Sequence, residues 1–439
     1  MARTSGAHRT IDAIWRIESP KLIAGLARMV RDVGLAEDLA QDALVAALER
    51  WPESGIPDNP GAWLMTTAKR RAIDLLRRNK TRDRKYEEWG RAAGTFTEDD
   101  LERGLDGEIG DDLLRLIFTT CHPMLSREAR VALTLRLLGG LATDEIARAF
   151  LVAEATVAQR IVRAKRTLSA ARAAFEVPEG EALKERLAAV LEVIYLMFNE
   201  GYAATSGGQW MRPLLCREAL RLGRMLAELA PREPEAHGLV ALMEIQSSRF
   251  KTRVDASGEP VLLLDQNRAL WDHLLIRRGL AALERARKLG RPLGPYALQA
   301  SIAACHASAR TAEETDWVRI AALYEALSRA APSPVVELNR AVAIAMAFGP
   351  AFGLQLADEL AAGRALKDYY LLPSVRGDLL AKLGRHAEAR AEFERAASLT
   401  RNERERALMR RRAAECEAAA AGGADAGTAA PEQPPNSTP

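Results

Sequence analysis

From Thr10 onward, apolar residues recur at intervals of three and four along most of the chain, the spacing of one face of an α-helix. No pattern of strands alternating with helices accompanies them, so the expected fold class is all-α. Punctuation divides the chain. The loop WPESGIPDNPGAW, from Trp51 to Trp63, is too rich in proline and glycine for regular helix. Residues 87–110 are acidic, glycine-containing and weakly apolar, which reads as a tether. Val177-Pro178-Glu179-Gly180 marks a further break, and the last stretch is low-complexity. The expected units are therefore 10–86, a linker 87–110, 111–176, a long helical region 181–417 and a disordered tail 418–439.

The sharpest local pattern is LLGGLATDEIARAFLVAEATVAQRIVRAKRTL, from Leu137 to Leu168. Thr143 is placed to cap a helix whose apolar face is Ile146, Ala147 and Phe150, with Asp144 and Glu145 in the first turn. Leu151-Val152-Ala153 makes a short turn. A second helix follows from Glu154 to about Leu168, and Val157, Ile161, Ala164 and Leu168 form its buried stripe. Ala158, Gln159, Val162, Arg163 and Arg166 then face outward, with Arg160 near the border. Gln and Arg read base edges, and Arg neutralises phosphate, so this is a helix-turn-helix suited to a DNA major groove.

A second basic feature lies upstream. Residues 35–50, LAEDLAQDALVAALER, form an amphipathic helix with Leu35, Leu39, Ala43 and Ala46 on one side and a polar cluster of Asp38, Gln41 and Asp42. Beyond the proline loop comes AWLMTTAKRRAIDLLRR. In it Trp63 can stack on a base while Lys69, Arg70, Arg71, Arg77 and Arg78 hold phosphates, with Asp74 among them. Nine basic residues lie between Lys69 and Lys85 against Asp74 and Asp83, and the sign reverses in the acidic segment that follows.

Composition narrows the class without deciding it. The 439 residues are 48% hydrophobic and 28% charged, a normal globular balance, and the net charge of +3 says little about nucleic acid by itself. Cys121, Cys216, Cys305 and Cys416 are far apart and form no CxxC or Cys/His pattern, so neither zinc nor a disulfide framework is expected. No cofactor is indicated, and no order of Ser, His and Asp, phosphate loop or metal cluster suggests an enzyme. There is no signal-peptide pattern and no run of the ~20 apolar residues that a membrane span needs. A cytoplasmic protein without membrane association is expected.

In order, DLAQDAL, NPGAWLMTTAKRRAIDLLRR, an acidic linker and LTLRLLGGLATDEIARAFLVAEATVAQRIVRAKRTL strongly resemble the sigma-70 family of RNA polymerase sigma factors, in its short extracytoplasmic-function (ECF) type. The resemblance covers about residues 10–174, with 10–86 as the region 2 bundle and 111–176 as the region 4 helix-turn-helix. It implies an alternative sigma factor that binds core RNA polymerase, through its beta-prime and beta subunits, and promoter DNA. By that resemblance Asp38, Gln41 and Asp42 grip the polymerase. Trp63, Lys69, Arg70, Arg71, Asp74, Arg77 and Arg78 serve the minus-10 element. Thr156, Ala158, Gln159, Arg160, Arg163 and Arg166 serve the minus-35 element. The proline-rich loop lacks aromatics that some relatives carry and Ala158 is small where others have a polar reader, which bears on the promoter sequence. The alternative is a helix-turn-helix regulator that acts without replacing the sigma subunit.

The region 181–417 resembles the C-terminal extension of one subgroup of these factors, through FNEGY (198–202), LLDQNRALWD (263–272) and PSPVVELNRAVA (332–343). Two stretches about 35 residues apart, from Arg340 and from Arg376, each place a helix, a glycine turn and a second helix. The second stretch resembles the back half of a tetratricopeptide repeat, so a TPR-like array is expected. A further helix is expected from Asp316 to the proline of APSP. Two roles remain open for the extension: a regulatory module that takes a protein or small ligand, or an embedded ligand-binding or enzymatic site with Asn199, Glu200, Tyr202, Asp265 and Asp272.

Overall fold

The computed structural model describes residues 2–87, 109–150, 152–203, 211–256, 258–290 and 292–426, without the side chains of 2–9, 78–87, 109 and 421–426. The expected acidic linker falls almost wholly outside these residues, as do Leu151 of the expected turn, the side chain of Arg78 and most of the expected tail. Eighteen α-helices and three 3-10 helices make up the described residues, with one isolated bridge, Val254 to Pro260, and no strand. The all-α class expected from periodicity is what the chain adopts. It divides into two compact units, residues 1–201 with 213–231, and residues 202–212 with 232–439.

The first unit contains α1 (Ala2–Val30), α2 (Val33–Ser54), α3 (Pro60–Glu87), α4 (Ile109–Thr120), α5 (Arg127–Leu137), α6 (Thr143–Phe150), α7 (Glu154–Ala170), nearly all of α8 (Gly180–Tyr202) and α9 (Pro213–Leu229). Helix α2 starts where the Asp32 side chain accepts from the Leu35 N–H at 2.9 Å, and it stops at Gly55, whose φ of 82° suits glycine. The prolines leave less loop than their number suggests. Pro52 sits in the last turn of α2, where its missing N–H forfeits a single bond, and Pro60 opens α3, with Asn59 accepting from Ala62 N–H at 3.0 Å.

The helix-turn-helix packs on α1 and α2 through charges. Glu37 of α2 is 3% exposed; its carboxylate accepts from Gln41 Nε2 at 2.6 Å and Arg136 Nε of α5 at 2.6 Å and forms an ion pair with Lys165 Nζ of α7 at 2.5 Å. Two further pairs flank this point: Arg16 to Glu145 at 2.6 Å, and Arg28 to the buried Asp112 at 3.0 Å. Gly140, at φ 64°, lets the turn after α5 approach the Arg16 backbone, where a Cβ would lie 3.3 Å from Arg16 Cα.

The second unit is a run of helical hairpins: α10 (Pro234–Ser247) with α11 (His273–Leu289), α12 (Pro295–Ser308), α13 (Trp317–Ala330), α14 (Pro334–Phe348), α15 (Pro350–Ala362), α16 (Leu371–Lys382), α17 (His386–Leu399) and α18 (Glu403–Ala426). The two stretches expected to repeat are α14 with α15 and α16 with α17, turned by Gly349 at φ 115° and Gly384 at φ 75°. The further helix expected from Asp316 is α13, capped by that side chain through Arg319 N–H at 2.9 Å. Small residues set the hairpin spacing. A Cβ on Gly353 would stand 2.4 Å from Ala345 Cβ and 2.6 Å from the Ala341 oxygen.

Gly353→Val should therefore force α14 and α15 apart and destabilise the second unit by about 1–3 kcal/mol in chemical denaturation; an unchanged midpoint would refute the close packing. Glu37→Gln keeps the side-chain shape but strands Arg136 and Lys165 without their shared anion. It should cost the first unit about 3 kcal/mol in the same measurement, as breaking a buried pair from one side does. An unaltered first-unit transition would mean that the network contributes nothing.

Candidate nucleic-acid interface

Helix α7 has the expected polarity. Val157, Ile161, Ala164 and Leu168 are its buried residues. Gln159, Val162, Arg163 and Arg166 are exposed, while Thr156, Ala158 and Arg160 are half-buried. Val162 is 44% exposed, which puts an apolar group able to meet a thymine methyl among the polar readers. Helix α6 buries Ile146 and Ala147, with Phe150 half-buried. Its start differs from expectation, because Thr143 is the first helical residue rather than the cap. Glu145 serves the helix end instead, its carboxylate accepting from Ala142 N–H at 2.9 Å as well as from Arg16.

The polar cluster on α2 lies one helical row away from Glu37. Asp38 and Asp42 are exposed and Gln41 is half-buried, its amide spent on Glu37. Val45 follows on the same row at 50% exposure, so the row is an acidic stripe with an apolar end, open to solvent. Both acids have a cation of this chain nearby: Lys165 lies 3.8 Å from Asp38, and Arg71 lies 3.3 Å from Asp42. Side-chain exposures of 72% and 61% on the acids keep these pairs weak.

Helix α3 carries Trp63 at its start, half-buried and edge-on to the buried Trp51 with ring centroids 5.3 Å apart. That contact fixes one edge of the Trp63 ring and leaves part of it accessible. Arg70, Asp74 and Arg77 are exposed, Lys69 and Arg71 half-buried. Thus Arg71 and Asp42 join the two groups expected to touch DNA and polymerase, whereas the α7 residues form a separate surface. Sequence reasoning missed Glu37, Arg136 and Lys165. The available signal was Glu37 itself, a carboxylate on a row with the buried Val33 and Ala40.

Burial and hydrogen bonding set the charge states at this junction. Burial alone would push the Asp32 carboxyl up, but bonds from Ser169 of α7 and from the backbone of Leu35 and Gly34 bring it below the usual carboxylate range, with Lys165 adding to them. Burial prevails at Asp112, whose carboxyl is raised despite Arg28 and Arg115. Among the described residues no group of His, Cys, Asp and Glu is placed to hold a metal ion, and no helix is long and apolar enough to cross a membrane.

Comparison with known proteins agrees with this geometry. Sigma-70 region 2 matches residues 15–82, Sigma-70, region 4 matches 115–168, and a family of unknown function (DUF6596) matches 186–287. A Rhizobium meliloti (strain 1021) protein, "Uncharacterized protein R00370", is 44% identical over 89% of this chain and 92% of its own length. From Mycobacterium tuberculosis, "ECF RNA polymerase sigma factor SigL" is 31% identical over 38% of this chain and 94% of its own length. "Probable ECF RNA polymerase sigma factor SigI" is 29% identical over 40% of this chain, which spans 59% of that relative. The exposed face of α7, the α2–α3 pair and these matches agree, and the chain belongs to the ECF RNA polymerase sigma factors, alternative sigma factors that direct transcription initiation.

Proposed function

We propose that this sigma factor grips core RNA polymerase, at its beta-prime subunit, with the Asp38, Gln41 and Asp42 row of α2 and captures promoter DNA at two points. Helix α3, with Trp63, Lys69, Arg70, Arg71, Asp74, Arg77 and Arg78, takes the melted minus-10 element. Helix α7, with Thr156, Ala158, Gln159, Arg160, Arg163 and Arg166, reads the minus-35 duplex. The observation that carries this reading is the open face of α7, where Gln159, Arg163 and Arg166 stand in solvent above a fully buried apolar stripe. An exposed acidic row on α2 favours replacement of the sigma subunit over a regulator that leaves it in place.

Geometry adds a requirement. Elements near positions −35 and −10 lie ~85 Å apart at ~3.4 Å per base pair. A compact unit of about 220 residues is only ~45 Å across. Helices joined by a 2.5 Å ion pair must therefore part before both elements are held. The state described here is then the free one, and core polymerase supplies the separation. The extension we assign to regulation, through a partner protein or small ligand, since helical hairpin arrays are binding platforms.

Reconstitution with core polymerase tests the reading: transcripts from a cognate promoter are expected, and DNA binding without transcripts would overturn it. Arg163→Ala should weaken binding to minus-35 duplex by about 1–3 kcal/mol in a titration. Equal affinity would remove Arg163 from the interface. Asp38→Asn with Asp42→Asn should lower affinity for core polymerase while stability changes by less than about 1 kcal/mol, because both acids are exposed. Unchanged core affinity would take the α2 row out of the contact.

A further inference from the structure

Between α10 and α11 the chain abandons long helices for three 3-10 turns, Phe250–Thr252, Leu263–Asp265 and Arg268–Leu270. These turns gather arginines around aromatic rings. Trp271, 3% exposed, has the Arg268 guanidinium 5.3 Å and the Arg249 guanidinium 5.8 Å from its ring centroid. Arg249 also lies 5.7 Å from the Tyr202 ring, and Arg253, 6% exposed, stacks on that ring at 3.5 Å. His306 of α12 closes the group, with its backbone oxygen accepting from Arg268 Nη1 at 2.9 Å.

The Arg249 and Arg268 guanidiniums have no ion-pair partner among the described residues. No carboxylate among the described residues pairs with Arg249 or Arg268, whose hydrogen-bond partners are neutral: Tyr202 Oη and Gln246 for Arg249, and the His306 and Ala309 oxygens and Thr315 Oγ1 for Arg268. Arg268 is 7% exposed, and the exposed Glu313 and Glu314 reach it only through space, behind the repulsion from Arg249. Four buried atoms of this cluster have no hydrogen-bond partner among the described residues: Arg249 Nε, Arg268 Nε, Trp271 Nε1 and His306 Nδ1. Burial, with Arg249 and Arg268 close by, holds His306 down at about 4, so the imidazole adds no positive charge at neutral pH.

A buried guanidinium without a counter-charge is costly, and each buried donor left unmade adds to that cost. Arg268 is such a cation, the half-buried Arg249 stands beside it, and with their idle donors they make a site that an anion would complete. We propose that the extension binds an oxyanion, a carboxylate or a phosphate group, at the cluster of Arg249, Arg268 and Trp271, with His306 and the Tyr202 ring as its walls. The guanidinium and indole N–H groups would bond the oxygens, and the rings would exclude water. The two guanidiniums converge from residues 19 positions apart, and neither FNEGY nor LLDQNRALWD gathers them by itself. The inference stands on the second unit and does not depend on how the first unit meets promoter DNA.

The test is a titration of the full chain at constant ionic strength, separately with inorganic phosphate, with succinate and with chloride, followed by tryptophan emission and thermal melting. A saturable rise in melting temperature with phosphate alone assigns a phosphate-bearing ligand, with succinate alone a carboxylate, and with both a general oxyanion site. Each of these supports the proposal. Arg249→Gln should weaken the response at least tenfold, and Trp271→Phe should remove the emission change while keeping the thermal shift. Should Arg249→Gln fail to fold, Arg249→Lys keeps the charge and loses the fork, and the same tenfold loss is expected. No saturable response to either oxyanion, or one undiminished in the arginine variant, would overturn the proposal.

Discussion

One carboxylate, that of Glu37, joins the two halves of the DNA-binding unit. It takes a proton donor from its own helix and a cation from each of two helices, 99 and 128 residues later, and it does so almost out of water. A buried ion pair is no stronger than a well-packed apolar contact of equal volume, because desolvation offsets most of the attraction. Its distinction is in what happens on separation. Apolar faces parted from each other would be exposed and adhesive, whereas Glu37, Arg136 and Lys165 regain hydration. The neighbouring pairs Arg16 with Glu145 and Arg28 with Asp112 have the same character. Such a contact suits two parts that pack in the free protein and work apart.

The same network divides labour on two helices. On α2, Glu37 turns inward while the next row, Asp38, Asp42 and Val45, stays in solvent. On α7, Lys165 is spent on Glu37, and Gln159, Arg163 and Arg166 are left for a ligand. Adjacent residues about a hundred degrees apart thus leave an intramolecular contact and an open face side by side without competing for one surface. Asp38 is the exception, close enough to Lys165 to be weakly held by it.

Local patterns were legible in the sequence, and long-range polar pairs were not. The buried stripe of α7 followed from spacing alone, since helical geometry maps offsets of three and four onto one face. The glycine turns of the second unit were legible for a related reason, as positive φ and close approach both select glycine. Glu37 was not legible because its partners are 99 and 128 residues away, and a polar residue next to Asp38 reads as another solvated acid. Pro52 misled because proline forbids helix interiors and tolerates the ends. In the extension, the acids Asp265 and Asp272 drew notice as a polar site, yet Asp272 caps α11 through Leu274 and Leu275 N–H groups. The unusual chemistry sits in arginines, which composition makes common and only the fold brings together.

The separation of α2 from α7 on assembly is the most direct test of how this sigma factor works. Spin labels at Arg50→Cys and Thr167→Cys, in a chain with Cys305→Ser, report that distance by double electron–electron resonance without touching Glu37 or Lys165. The free protein should give one short distance, and the complex with core polymerase and promoter should lengthen it by roughly tens of ångströms, as the spacing of the two promoter elements demands. A short distance retained in a transcribing complex would contradict a packed free state that opens to engage the promoter.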